Sequence, residues 1–358
     1  MASAALAPGW ARLREESIWL YPVTLMALGL FGLAQLLGAQ FGLYPGSMLV
    51  LYGWKALRML PSVLIIAAAA QLAWAVRESP RAPTSAFLRR GRALFEDPAL
   101  IVARFAPLLL MPVVFVGFSA LKMLMPRFLP FSLDDAFAGA DRILFLGYQP
   151  WELTHAVFGS VEATYFLDRL YSWWVLLLSI AIVTVALFAS RTLRARFFIA
   201  FTLAWVLLGV CGAWLLASAG PCFSAGIGAD SAPEFTGLME RLAAMSIATD
   251  GTINAPGWQQ VLWRSHAGES YGFGMGISAM PSLHNAIATL YALAAFRVSR
   301  AFGWVATVYA VLIFIGSVHL GWHYAVDGIV GALAMVAIWK WTDRWCRRSG
   351  YDAAAGAA

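Results

Sequence analysis

The sequence predicts an all-α, polytopic integral membrane protein with about eight transmembrane helices, and three observations carry that prediction. Of 358 residues, 61% are hydrophobic and only 12% charged, whereas a soluble domain carries about 25% charged residues. Apolar runs of roughly 20 residues, the length a helix needs to cross a bilayer, recur along the chain. Lys and Arg gather in alternate connections between those runs, the asymmetry that orients membrane proteins. Sixteen Trp suit aromatic belts at two membrane interfaces.

Taken in order, the expected spans are Ser17–Ala39, a second that starts between Met48 and Met59 and ends near Val76, Ala99–Leu121, Thr164–Ser190, Phe197–Ala219, Pro281–Phe296, Phe302–Val318 and His323–Trp341. Lys55 and Arg58 blur the start of the second. Pro126–Ser160 mixes Pro, Gly, acids and aromatics and reads as short interfacial helices. Gly220–Met280 reads as a long loop holding an amphipathic piece, Leu238–Ile247. The run after Arg12 and Arg14 is too long for a signal-peptide core.

Arg12 and Arg14, the cluster Arg77–Arg92, then Arg191, Arg194 and Arg196, then Arg297 and Arg300, and finally Lys340–Arg348 all fall on one side of an eight-span chain. The other side holds few basic residues and most of the acids, among them Asp134, Asp141, Glu152 and Asp230. Both termini are therefore expected in the cytoplasm. The net charge of +6 lies in these short clusters, which points to a membrane surface and away from nucleic acid. Cys211, Cys222 and Cys346 form no C-x-x-C pair and no evident disulfide.

The unusual polar residues converge at the outer depth. In SVHLGWHYAVDG (Ser317–Gly328), His323 and Asp327 are four apart, on one helical face. A carboxylate beside an imidazole N–H fixes its tautomer and stabilises the imidazolium, as a nucleophilic or general-base His requires. In MPSLHNA (Met280–Ala286), His284 falls in a first helical turn behind Pro281, where free N–H groups and the dipole favour an anion. One intramembrane His can simply hold helices together, but two His and an Asp at one depth form a site. His284, His323, Asp327 and His319 would also suit zinc. No further feature resembles a metal motif, so neither metal nor cofactor is expected.

P-S-x-H followed by H-Y-x-x-D on the last spans resembles the type 2 phosphatidic acid phosphatase superfamily. The forms PSLH and HYAVD, with ISAMPSLH and SAGPCF, are most similar to its inositol phosphorylceramide synthase branch and that branch's bacterial members. The resemblance covers about Ala99 to Trp345. It implies a six-helix catalytic membrane domain over 93–345, a two-helix extension with a basic cytoplasmic loop over 1–92, and a disordered cytoplasmic tail over 346–358. It also implies His323 as nucleophile forming a phosphohistidine, Asp327 as its orienting carboxylate, and His284 as the acid that protonates the leaving oxygen. The phosphatases carry a phosphate-binding Arg where this chain has Ser317, and Leu283 stands at their motif Gly. Their Lys-x6-Arg-Pro motif is missing too, which favours a transferase.

For the phosphate, Arg169 beside Asp168 is the first choice, then Lys122 and Arg127, with Ser282 at the helix start. His319 and Tyr171 are further possibilities. The expected activity is transfer of a phospho-head group from a phospholipid to a lipid or alcohol acceptor at the extracytoplasmic face of a bacterial inner membrane. The alternatives are a lipid phosphate phosphatase of the same superfamily and, in another class, a lipid or solute transporter using these residues as a proton relay.

Overall fold

The computed structural model describes residues 9–268 and 274–356, and those residues form helices and loops without a strand. The chain is an integral membrane protein. In order, α1 is Gly9–Ala39, α2 Pro45–Glu78, α3 Pro83–Ala93, α4 Pro98–Phe128, α5 Asp134–Leu144, α6 Pro150–Phe158, α7 Val161–Ser172 and α8 Trp174–Phe188. Next, α9 is Arg191–Leu215, α10 Pro233–Ala248, α11 Ala255–His266, α12 Leu283–Phe296, α13 Arg300–His319, α14 Ala325–Arg348 and α15 Tyr351–Gly356.

Among the described residues, seven helical segments are long and apolar enough to cross a membrane: α1, α2, α4, the continuous α7–α8 pair, α9, α13 and α14. The sixth expected span, α12, has 14 residues, about 21 Å of rise against a hydrocarbon core of about 30 Å. Its deficit lies at the N-terminal end, where Ser282 is extended and the chain enters as a loop.

Local chemistry sets the boundaries. Pro opens α2, α4, α6, α10 and α11, where its missing N–H is no loss. Asp97, Ser160, Ser190, Ser282 and Ser299 cap α4, α7, α9, α12 and α13 by accepting backbone N–H groups. The second span starts earlier than its charges suggest. Lys55 and Arg58 lie inside α2 and are exposed, because long basic side chains carry their charge away from an apolar helix body.

The C-terminal stretch corrects the expectation of a disordered tail. Cys346 is buried at the end of α14, and α15 continues to Gly356. Tyr351, fully buried, sends its hydroxyl to Glu16 at 3.1 Å. That contact also brings α15 against the start of α1 at one end of the bundle.

Around the site, α12 packs between α13 and α14 and against α9, while α1 lies along α4. The helix α2 leans across α4 and α8. Only 17% of its apolar window is buried, against 61% for α9. The pair α9 and α2 are therefore centre and rim of the bundle.

Candidate active site

The start of α14 is built by three acidic residues. A helix leaves its first N–H groups without intrahelical partners. Asp327 folds back so that Oδ2 accepts the Tyr324 N–H at 3.0 Å. From α5, Asp141 Oδ2 and Oδ1 accept the Ala325 and Val326 N–H groups at 2.6 and 2.8 Å. Asp134, two turns earlier on α5, accepts the Tyr324 hydroxyl at 3.0 Å and the N–H groups of Ala219 and Gly220 at 2.9 and 2.8 Å. Both α5 acids are buried. Burial pushes the Asp141 carboxyl up to about 7 and outweighs the two N–H donors that lower it. The Asp134 carboxyl is raised for the same reason.

Against this frame His323 is fixed. Its Nδ1 lies 3.3 Å from Asp327 Oδ2. Asp327 is fully buried, and its Oδ1 has no hydrogen-bond partner among the described residues. The two motifs are joined by backbone, since the Ser282 N–H donates to the Asp327 carbonyl at 3.1 Å. That approach needs Gly331, where a Cβ would stand 2.5 Å from the Ser282 carbonyl oxygen. Gly220 is required for a related reason. It has φ +100°, and a Cβ there would lie 2.8 Å from the Trp322 carbonyl oxygen, beside His323.

His284 sits in the first turn of α12. Its ring stacks on Tyr171 at a centroid distance of 4.6 Å and leans on Trp174 at 4.3 Å. The His284 and His323 rings lie 6.0 Å apart, tilted by 58°. Both line a cavity of about 630 Å³ together with Lys122, Tyr171, Trp174 and Trp322. Lys122 reaches it from α4, its Nζ 5.8 Å from the centre of the Phe118 ring. Among the described residues no carboxylate pairs with it. No three His, Cys, Asp or Glu side chains of the described residues gather as a metal site would need.

Other expected residues lie elsewhere. Arg169 is turned out of the cavity. Its guanidinium donates to the Thr252 carbonyl and lies 3.6 Å from Asp168, while Asp168 itself accepts the N–H groups of Asn254 and Ala255, each at 2.8 Å. Arg127 lies 6.0 Å from the centre of the Phe41 ring and does not line the cavity. Ser282 is fully buried, with its Oγ accepting from the Asn285 side-chain amide at 3.0 Å. That amide also reaches Ser317 Oγ at 3.2 Å. His319 stacks on His155 at 3.8 Å, and its Nε2 meets Thr164 Oγ1 at 2.9 Å. It faces away from the cavity, and His155 donates to its carbonyl at 2.9 Å. Burial pushes the His155 imidazole below its ordinary range.

Sequence reading missed Asp134 and Asp141 as parts of the site and left them as outer-loop acids. Their spacing carried a signal, because residues seven apart share a helix face. It also missed Trp174 and Trp322, which in an aromatic-rich chain carry no mark of their own.

A sequence model described as PAP2 superfamily matches residues 135–341. The chain belongs to the PAP2 superfamily. Members of this superfamily are phosphatases and phosphotransferases acting on phosphoesters. The matched segment contains His284, His323, Asp327 and Asp141, but neither Lys122 nor Asp134. Neither a curated protein nor a solved structure matches the chain.

Proposed function

We propose that this PAP2 protein cleaves a lipid phosphoester through His323 and passes the phospho-head group to an alcohol acceptor. The observation that carries the reading is the pair of imidazoles 6.0 Å apart on one cavity wall, one of them held by a buried carboxylate. That gap accommodates a single phosphoryl group between the rings.

The steps follow from the geometry. Asp327 accepts a hydrogen bond from the Nδ1–H of His323, which leaves the lone pair on Nε2. Nε2 attacks phosphorus, the bond to the leaving oxygen breaks, and His284 gives that oxygen a proton. The products are a phosphohistidine and the first alcohol. His284, now neutral, takes the proton of the acceptor hydroxyl. The acceptor oxygen then attacks phosphorus and releases His323. Lys122 is the cation that offsets the charge on the phosphoryl oxygens. The inositol phosphorylceramide synthase-like variant of this reaction is favoured over simple hydrolysis because Ser317, at the place of the phosphatases' Arg, is fully buried against Asn285. In the proposed orientation the site faces the extracytoplasmic leaflet, since the basic clusters lie at the other end of the bundle.

The test incubates purified protein with a panel of phospholipids, with and without ceramide, diacylglycerol and polyprenol, and identifies products by mass spectrometry. Head-group transfer is expected. Free phosphate without transfer makes the protein a phosphatase. His323→Ala is expected to lower turnover by about 10³-fold or more and to abolish the acid-labile phosphate adduct on the wild-type chain. Unchanged turnover in His323→Ala overturns the reading.

A further inference from the structure

The reaction proposed above uses only one end of the cavity. The rest is a long, largely apolar space walled by α2, α4, α8 and α9. On α2 the cavity is lined by Tyr52, Lys55, Ala56, Met59, Leu60 and Val63, which recur at spacings of three, one, three, one and three, a single helical face with one charged residue near its upper end. On α4 the lining runs from Lys122 down to Leu108. Fourteen steps of about 1.5 Å make a depth of about 21 Å. One leaflet of a bilayer is about 15 Å of hydrocarbon.

The far end is shut. Val63 and Ala67 of α2 pack with Val183 and Leu187 of α8 in a cluster separate from the main core. The near end is tied to the site, since Tyr52 Oη and Ser119 Oγ of α4 share a hydrogen bond of 2.5 Å and the Gly274 N–H donates to Tyr52 Oη at 3.0 Å. The volume of about 630 Å³ falls in the range of sites that enclose a ligand. An apolar space of this kind is poorly suited to water, which needs polar partners. Moreover, α2 precedes residues 135–341, the segment that matches the superfamily. The wall is thus supplied by a part of the chain outside that match.

We infer that α2 closes the cavity into a blind slot for one acyl chain of the lipid substrate, and that Val63 and Val183 at its floor set the longest chain accepted. The inference rests on the reading that the substrate is a lipid. The head group then lies between His284, His323 and Lys122, the chain runs down the face Tyr52–Val63, and its terminal methyl meets the floor. A second chain stays in the surrounding bilayer, because α2 is largely exposed on its other faces.

Two variants of opposite sign test the floor. Turnover is measured on diacyl phosphatidic acids with chains of eight to eighteen carbons, in the full-length protein. Val63→Trp raises the floor and is expected to lower the ratio of long-chain to short-chain turnover by about tenfold or more, the scale on which apolar pockets reject extra methylenes. Val63→Ala with Val183→Ala deepens it and is expected to move the preferred chain to a greater length, a gain that a misfolded protein cannot show. If both variants scale all chain lengths alike, the slot is overturned.

A third measurement separates this inference from the reaction. Phosphatidic acid with a diazirine at the end of one sixteen-carbon chain is photolysed on wild-type protein. Labelling at Val63 or Val183 supports the slot even if no phosphoester is cleaved, which would count against the reaction alone. Turnover accompanied by labelling only on the outer face of α2, at Leu64 or Ile65, overturns the slot and leaves the reaction standing.

Discussion

The two ends of the helix bundle handle buried charge in opposite ways. At the end holding the start of α1 and the helix α15, charges meet charges. Arg191 pairs with Glu15 and Glu16 at 2.8 and 2.6 Å, Arg196 with Asp343 and Asp352 at 3.1 and 2.5 Å, and Arg12 with Asp97. At the histidine end, the buried acids Asp134, Asp141 and Asp168 are satisfied chiefly by backbone N–H groups of loops and helix starts. Arg169, Arg142 and Arg241 are engaged there as well, with Asp168, Glu234 and the Gly159 carbonyl. The first end acts as a clamp. The second sets Lys122 and two imidazoles, one of them held by Asp327, beside a cavity, the arrangement needed where an anion must be received.

The largest test of this contrast is Lys122→Met, which keeps the length and apolar stem and removes the charge. If Lys122 offsets phosphoryl charge, kcat is expected to fall by about 10²- to 10³-fold, with thermal stability unchanged or raised because a half-buried ammonium with no carboxylate partner among the described residues is gone. Arg169→Met, by contrast, should leave kcat within about threefold of wild type, since its guanidinium is held by Thr252 and Asp168. Equal losses in the two variants would mean that the site draws its cation from outside the cavity. The comparison would then fail.

Asp141→Asn has the next largest expected effect. An amide offers one oxygen where the carboxylate offers two, so one of the Ala325 and Val326 N–H groups meets an NH2 instead. Misplacement of His323 and Asp327 by a fraction of an ångström is expected to cost about tenfold to 10²-fold in kcat, with KM less affected. The pH dependence has a defined sign. A carboxyl raised to about 7 in the folded protein contributes stability that is fully present below the ordinary carboxylate range and is lost as pH rises through about 7. The thermal midpoint of wild type should fall across that window, and the Asn variant should lose this part of the slope. An identical slope in both proteins would remove Asp141 from the account.

Much of this was legible in the sequence, and the parts that were not share a cause. The eight apolar segments announced themselves by length and composition, and His284, His323 and Asp327 by being ionisable residues at one depth. Hydropathy says nothing about which way a basic side chain turns. That is why Arg169, at the head of α7–α8, looked better placed than Lys122, whose position at the end of an apolar run resembles an interfacial anchor. In the same way Asp134 and Asp141 read as solvated loop acids, because their partners are backbone groups of α14 and of the Ala219–Gly220 turn, nearly two hundred and about eighty-five residues away. The tail failed for a related reason. An Ala-rich end carries no periodic signal, yet one buried hydroxyl, Tyr351, is enough to dock it on Glu16.

The smallest expected effect on catalysis belongs to that other end. Glu16 is fully buried and accepts from Trp19 Nε1 at 2.7 Å, from Arg191 Nε at 2.6 Å and from the Tyr351 hydroxyl at 3.1 Å. Glu16→Gln removes the charge and keeps the shape. Arg191 retains Glu15, so the loss should be smaller than the roughly 3–5 kcal/mol of a fully broken buried pair and closer to the 1–3 kcal/mol of a buried group left poorly matched. The thermal midpoint should fall by several degrees, and kcat on the best lipid should stay within about twofold. The clamp lies at the far end of α1, α9 and α14 from His323, and a stability loss there has no route to the 6.0 Å imidazole spacing unless α14 shifts as a rigid rod. Since Asp141 and Asp134 hold the opposite terminus of α14, such a shift would break three hydrogen bonds at once. A large fall in kcat without a fall in stability would therefore show that α14 couples the two ends, and the division of labour between them would have to be abandoned.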